Sequence, residues 1–212
     1  MADAWSKSQL VKDCALIIFY RNAELGNVKT RLAATLGDER ALDIYLKLSK
    51  HTLKIAEKVN AKKIVYYSQS IEQNGLWTEN FLKEVQLGND LGERMLNAFR
   101  KCFEVGYKRV CIIGTDCYEL DENVITQAFD ALKENDAVIG PAKDGGYYLL
   151  GMNQFLPELF QNKAWSTSSV AQDTIQNFKR LKLKYHILPV LNDIDREEDL
   201  PPSLFQDGDY HL

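Results

Sequence analysis

Apolar residues in this chain fall into two recurring arrangements. Some runs are apolar at every position, and longer stretches carry apolar residues every three or four positions. Cys14-Ala15-Leu16-Ile17-Ile18-Phe19-Tyr20 is the clearest run. A strand with no polar face predicts burial between two layers, as in the middle of a parallel sheet. Residues 64–67, 110–114 and 137–140 repeat the pattern. Between the first two runs, Leu42, Tyr45, Leu46, Leu53 and Ala56 keep a helical period, which predicts a helix over residues 36–59. Met95, Leu96, Phe99, Cys102 and Phe103 mark a second helix, and Val124, Ile125, Ala128, Phe129 and Leu132 a third. Val170, Thr174, Ile175, Phe178 and Leu181 mark a late one.

The weaker stretches are read more loosely. Residues 68–89 predict a loop with a short helix at 79–83 and a short strand near Val85. Residues 185–190 predict a last strand, with Pro189 placing it at an edge or an end. The tail after Pro201-Pro202 reads as polar and peripheral.

Strand and helix alternate through most of the chain, the signature of a three-layer α/β/α sandwich. Residues 147–151 follow the strand at 137–140 too closely for a parallel crossover, so the mostly parallel sheet contains an antiparallel strand. No repeat or linker divides the 212 residues, and a single domain with its core over about residues 14–200 is expected.

Composition narrows the partners. A net charge of −4 argues against a nucleic-acid binder, although a pocket can be locally basic in an acidic protein. The four cysteines form no CxxC pair, and His51, His186 and His211 have no zinc-ligand spacing. Buried, reduced thiols suit a cytoplasmic setting. Residues 1–13 carry charges throughout, unlike a secretory leader, and the longest apolar run is too short to span a bilayer.

In open parallel sheets, ligands collect beyond the carboxyl ends of the strands. Gly26, Lys29, Thr30 and Arg31 follow the first strand. A glycine in a loop and two cations flanking a hydroxyl can wrap and neutralise phosphates, although the Walker A spacing is absent. A solvated basic loop would show the same residues. Gly114-Thr115-Asp116-Cys117 puts an acid at the end of a buried strand, which is costly unless the acid is paired or binds a cation. Asp193 and Asp195 follow the last strand. Either could supply a second metal ligand, while Asp195 with Glu198 matches a capping box. Asp144-Gly145-Gly146 sits between two strands. A tight hairpin explains it, and so does an acid placed to hold a hydroxyl. Gly88 and Gly92 flank an acid ahead of a helix, and Trp165-Ser166-Thr167 opens the late helix with hydroxyls suited to caps.

Six blocks in this order, Val28-Lys29-Thr30-Arg31-Leu32, Asp90-Leu91-Gly92-Glu93-Arg94-Met95, Gly114-Thr115-Asp116-Cys117, Gly140-Pro141 to Tyr148, Trp165-Ser166-Thr167 and Asp193-Ile194-Asp195 to Leu200, cover nearly the whole chain. Together they resemble a bacterial glycosyltransferase-A-like family, the transferases associated with radical-SAM and selenocysteine-domain proteins. Some members are described as arsenosugar-biosynthesis glycosyltransferases. The wider superfamily is the nucleotide-diphospho-sugar transferases. It also holds nucleotidyltransferases such as 2-phospholactate guanylyltransferase and molybdenum-cofactor guanylyltransferase.

The resemblance implies a nucleotide cradled by Gly26, Lys29, Thr30, Arg31 and Arg94. It implies Mg²⁺ or Mn²⁺ at Asp116, with Asp195 as second ligand, because Thr115-Asp116-Cys117 carries one acid where a DxD motif has two. It makes Asp116 and Asp144 catalytic and gives Gly145, Gly146, Trp165, Ser166 and Thr167 to the substrate. Tyr118 stands where the family usually has proline, and Arg21 and Ala23 replace its usual lysine and proline. The implied reaction is glycosyl transfer from a nucleotide-diphospho-sugar to a small acceptor. Nucleotidyl transfer from an NTP, releasing pyrophosphate, is the alternative, and a nucleotide-binding module with lost chemistry is the third reading.

Overall fold

The computed structural model describes residues 13–161 and 163–205. The stretch 1–12, which contains most of the charged N-terminal segment, lies outside them. Seven strands form one sheet: β1 (Cys14–Tyr20), β2 (Lys62–Tyr67), β3 (Leu82–Val85), β4 (Arg109–Ile113), β5 (Ala137–Pro141), β6 (Tyr147–Met152) and β7 (Tyr185–Ile187). Among the described residues five α-helices accompany it: α1 (Thr30–Leu36), α2 (Asp38–Lys58), α3 (Leu91–Val105), α4 (Glu122–Ala131) and α5 (Val170–Arg180). The strand order is β3-β2-β1-β4-β6-β5-β7. β3, β2, β1 and β4 are mutually parallel, and β6 runs antiparallel to both β4 and β5. The expected three-layer architecture with one reversed strand is therefore the observed one.

Alternate residues of β1 feed two separate cores. Leu16, Ile18 and Tyr20 pack with Tyr45 and Ile55 of α2 and with Ile125 and Phe129 of α4. Ala15 and Ile17 pack with Met95 and Phe99 of α3 and with Phe178 of α5. A strand that must satisfy both layers has no position left for a polar side chain. Its regularity made it readable in advance.

Four local expectations need correction. The helix expected over residues 36–59 is α2, but a second, short helix, α1, precedes it, separated by Gly37 at φ 84. Residues 30–36 are therefore helix where a loop was expected: Leu32 is fully buried and the neighbouring residues are good helix formers. No helix forms at residues 79–83. Trp77 and Phe81 instead anchor an aromatic cluster, and residues 82–85 pair with β2 as an edge strand. The last strand stops at Ile187, and Leu188 donates its N–H to the carbonyl of Ile139 just before Pro189. The tail is not wholly peripheral, since Leu204 is buried against Leu32, Ile44, Leu48 and Ile194. That small third core ties the segment after β7 to α1 and α2, which brings two distant acidic and basic segments together.

Candidate functional site

The chain steps from β1 to β2 and β3 on one side, then crosses to β4 on the other. Such a reversal leaves a crevice at the strand ends. A cleft of about 1120 Å³ opens there, lined by residues that follow β1, β4, β5 and β7.

The loop after β1 is fixed from below. Asn22 is 5% exposed, and its Nδ2 donates to the carbonyl of Ser70 (2.8 Å) and to Glu72 (3.0 Å). Its Oδ1 accepts from the backbone N–H of Gln69 at 3.0 Å. Tyr45 holds the preceding residue: its hydroxyl donates to the carbonyl of Arg21 (2.7 Å) and accepts from its N–H (2.9 Å). Neither residue carried a sequence signal beyond its own type.

Lys29 ends this loop in the left-handed region, with φ 48, and turns its side chain inward. The side chain is 6% exposed, and Nζ lies 2.8 Å from Oδ1 of Asp116. It also donates to the carbonyl of Ile194. Asp116 follows β4, and its side chain remains 47% exposed. An isolated antiparallel bridge between Cys117 and Asp193, with Ile194 N–H on the carbonyl of Asp116 (2.9 Å), docks the segment after β7 beside it. Leu32 and Ile194 seal this arrangement from underneath.

The two acids after β7 then part company. Asp195 gives its carboxylate to Arg31, whose Nη1 lies 2.6 Å from Oδ2 on the exposed rim. Asp195, expected as a second metal ligand, is thus paired with a guanidinium on the rim, as Asp116 is paired with an ammonium. It does not cap a helix with Glu198 either. Asp199 takes that place, accepting the N–H groups of Asp195 (3.1 Å) and Arg196 (2.8 Å). Asp193 points the other way. Its Oδ1 is buried and has no hydrogen-bond partner among the described residues. Burial, and next the charges of Asp116 and Asp144, push its carboxyl up to about 7. A buried carboxylate oxygen without a partner is expensive unless a cation or proton satisfies it.

The sign of the pH effect follows. In the folded chain Asp193 holds its proton up to about pH 7, whereas the unfolded chain ionises near the ordinary value of 3.8. Stability therefore falls as pH rises through that window, and the loss is complete above it. Asp193→Asn cannot ionise. It should raise Tm at pH 8 by roughly 5 °C or more in the metal-free protein and change it little at pH 4, by thermal denaturation. A variant less stable than the parent at pH 8 would contradict the unpaired-carboxylate account.

The opposite rim is built from the turn between β5 and β6. Oδ1 of Asp144 accepts the N–H of Gly146 at 2.8 Å, so the acid does shape a tight turn. Its other oxygen makes no hydrogen bond among the described residues and the residue lines the cleft. The turn is clamped to the start of α5: Ala171 N–H donates to the carbonyl of Gly145 at 2.9 Å. Gly145 has φ 90, and a Cβ there would lie 1.9 Å from the carbonyl oxygen of Ser168. Gly145→Ala should cost about 2–4 kcal/mol, through a left-handed alanine and a backbone clash that no rotamer relieves. Chemical denaturation measures it, and a loss below about 0.5 kcal/mol would contradict the clamp.

Of the residues singled out in the sequence, Lys29, Thr30, Arg31, Asp116, Asp144, Gly146, Trp165, Ser166, Thr167 and Asp195 line the cleft. Gly26, Arg94 and Gly145 do not. Gly26 turns the β1 loop with φ 76. Arg94 is spent bracing the loop after β3, with Nε on the carbonyl of Gly88 at 3.1 Å, which corrects its expected nucleotide contact. Gly145 serves as the clamp described above. Asp193, the other acid singled out after the last strand, lines the cleft, and so do Arg21, Tyr45, Thr115 and Lys143, which were not selected as site residues.

Among the described residues no group of three or more His, Cys, Asp or Glu is arranged to hold a metal, and no helix is long and apolar enough to cross a membrane. No curated protein matches the chain. A crystal structure from Desulfovibrio desulfuricans G20, described as a "putative nucleotide-diphospho-sugar transferase", matches at TM-score 0.82 and 32% identity, covering 87% of this chain and 83% of that one. The inositol-1-phosphate CTP transferase of T. maritima matches at TM-score 0.60 and 14% identity, over 90% of this chain and 92% of that one. A 4-diphosphocytidyl-2C-methyl-D-erythritol synthase from Anaerococcus prevotii DSM 20548 matches at TM-score 0.58 and 13% identity, over 90% and 95%. At such identities the last two show the fold alone, that of the nucleotide-diphospho-sugar transferases. Residues 52–167, which hold four of the six blocks, match the model of a family described as "Uncharacterized protein conserved in bacteria (DUF2064)", and the chain belongs to that family.

Proposed function

We propose that this chain is a transferase acting on a nucleotide-activated donor, and that it moves a glycosyl group from a nucleotide-diphospho-sugar to a small acceptor. The observation that carries the reading is the acid–base cluster at the β1–β4 crevice. There Lys29 and Asp116 meet at 2.8 Å beside the unpaired buried oxygen of Asp193. The 32%-identical relative described as a nucleotide-diphospho-sugar transferase supports it.

The donor set suits Mg²⁺ or Mn²⁺. These ions commonly take one or two carboxylates and fill the remaining positions with water and substrate phosphates. Asp116 and Asp193 would supply those carboxylates, with Asp193 replacing Asp195 as the second ligand. A divalent cation held by these residues would offset charge on the departing diphosphate. Lys29 and Arg31 sit on the same side, and their ammonium and guanidinium groups bind the phosphate oxygens when these compete with Asp116 and Asp195. Asp144, on the facing rim, accepts a hydrogen bond from the acceptor hydroxyl and takes up its proton as the new bond forms.

Thermal denaturation against panels of nucleotide-diphospho-sugars and NTPs, each with Mn²⁺ or Mg²⁺, tests the donor class. A ligand present at about a hundred times its Kd adds about 2.7 kcal/mol to stability. The expected result is a clear Tm rise with a nucleotide-diphospho-sugar and a divalent ion together. Absence of any rise across both panels would remove the nucleotide-donor reading.

A further inference from the structure

We infer that the acceptor of this cleft carries a flat or branched apolar group, seated on a wall made by Phe19, Leu91, Met95, Tyr147 and Trp165. The inference rests on the transferase reading for the word acceptor, while the wall stands on its own geometry. All five residues line the cleft, and Phe19, Tyr147 and Trp165 form the partly buried rim of the core that contains Met95. Leu91 opens α3 and is 42% exposed at the mouth of the cleft.

The wall is built, not incidental. Trp165 lies against the first turn of α3, where a Cβ on Gly92 would come within 2.1 Å of its Nε1. A glycine inside a helix costs about 0.5–1 kcal/mol relative to alanine. Here it creates the space that seats an indole. Phe160 stacks on the same ring at 6.4 Å between centroids. Among the described residues the Tyr147 hydroxyl is directed at the Met95 sulfur, at 3.6 Å, so this polar atom of the wall is turned into it.

Two features assign this wall to the acceptor and not to the nucleotide. The segment carrying Trp165 is locked to the Asp144 turn through Ser168 and Ala171, so wall and proposed acceptor base move as one unit. The cations Lys29 and Arg31 belong to the loop and helix after β1. A nucleobase is told apart by hydrogen bonds to its edges, because a site lacking such partners discriminates weakly. Phe19, Leu91 and Met95 have no side-chain donor to offer. The Tyr147 hydroxyl is turned onto Met95, which leaves the Trp165 indole N–H as the wall's one further side-chain donor, and so predominantly apolar a surface suits a group that is held by area and shape.

Ligand-observed NMR by saturation transfer on the intact protein tests the wall with two probes. 4-Nitrophenol is a flat alcohol with an apolar face; erythritol carries hydroxyls and no apolar face. The wild-type protein should transfer saturation to 4-nitrophenol and not to erythritol. Leu91→Asp places a charge in the wall at a helix position that favours acids, so folding is kept, and Leu91→Gln does the same without charge. Both should weaken 4-nitrophenol binding at least tenfold. Stabilisation by the nucleotide found in the thermal screen should be the same in both variants as in the wild type. Equal 4-nitrophenol binding in wild type and variants would overturn the proposal, as would preferred binding of erythritol. A parallel loss of nucleotide stabilisation would overturn it as well and give the wall to the base. If no nucleotide stabilises the wild type while 4-nitrophenol still binds in a Leu91-dependent way, the transferase reading fails and the apolar site remains.

Discussion

Asp116→Asn should reduce transfer at least about a thousandfold while leaving a folded protein. The size of the effect follows from where charge develops. A diphosphate leaving group gains negative charge as its bond to the sugar breaks, and groups positioned for that charge supply the largest single share of catalysis. Asp116 holds one of them, the Lys29 ammonium, at 2.8 Å, and under the proposed reading it would supply, with Asp193, the carboxylates for a divalent ion. Its side chain is 47% exposed, and the buried Lys29 ammonium keeps the amide oxygen and the carbonyl of Ile194 as acceptors after the replacement. Near-native Tm with kcat lost is the expected pair of readings. Wild-type turnover in Asp116→Asn would remove this residue from the chemistry.

Lys29→Met should split two affinities in opposite directions. The lysine occupies the carboxylate that a metal ion would use, and it is the most deeply buried cation on the phosphate side. Removing it deletes a charge-assisted contact to the donor phosphates, worth about 1.5–3 kcal/mol, so donor affinity should fall roughly ten- to a hundredfold. The same change frees Asp116, and Mn²⁺ in the absence of nucleotide should bind more tightly than in the wild type. Methionine keeps the length and apolar stem of the lysine side chain, and the φ of 48 strains it no more than it strains lysine. Calorimetric titrations with Mn²⁺ alone, and with donor at saturating Mn²⁺, measure both shifts. Loss of Mn²⁺ binding in the variant would show that the lysine supports the carboxylates instead of competing for them.

The parts of this molecule that were legible in sequence share a physical property: one residue type answers to one local demand. β1 is apolar at every position because both layers need it, and α4 starts at the Asp121 cap with a clean apolar face. What was illegible depends on contacts between distant segments. Of β3 only the end near Val85 was legible: Leu82 is 46% exposed and is followed by Lys83 and Glu84, so its start was read as part of a short helix. α1 buries only Leu32, and the partners that fix it, Ile194 and Leu204, lie near the other end of the chain.

The site divides in the same way. Lys29, Asp116 and Asp144 were visible because a charge beyond a buried strand or at a glycine turn needs an explanation. Asp193 and Asp195 looked alike, as two acids beyond one strand. The bridge from Cys117 to Asp193 buries one carboxylate, while Arg31 reaches the other. Arg94 misled for the converse reason: its place in an ordered block suggested a ligand contact, and the carbonyl of Gly88 had already claimed it. Trp165 required a glycine elsewhere in the chain to make its seat.

Product analysis by ³¹P NMR tests the central claim most directly. The protein would be incubated with Mn²⁺, the nucleotide-diphospho-sugar that stabilises it and a hydroxylated aromatic acceptor, with a parallel reaction supplied with the matching NTP and a sugar phosphate. The account predicts release of the nucleoside diphosphate in the first reaction, lost in Asp116→Asn, and no pyrophosphate in the second. Pyrophosphate in the second reaction with no diphosphate in the first would contradict glycosyl transfer and make the chain a nucleotidyltransferase. Binding with neither product would leave a nucleotide-binding module without the proposed chemistry.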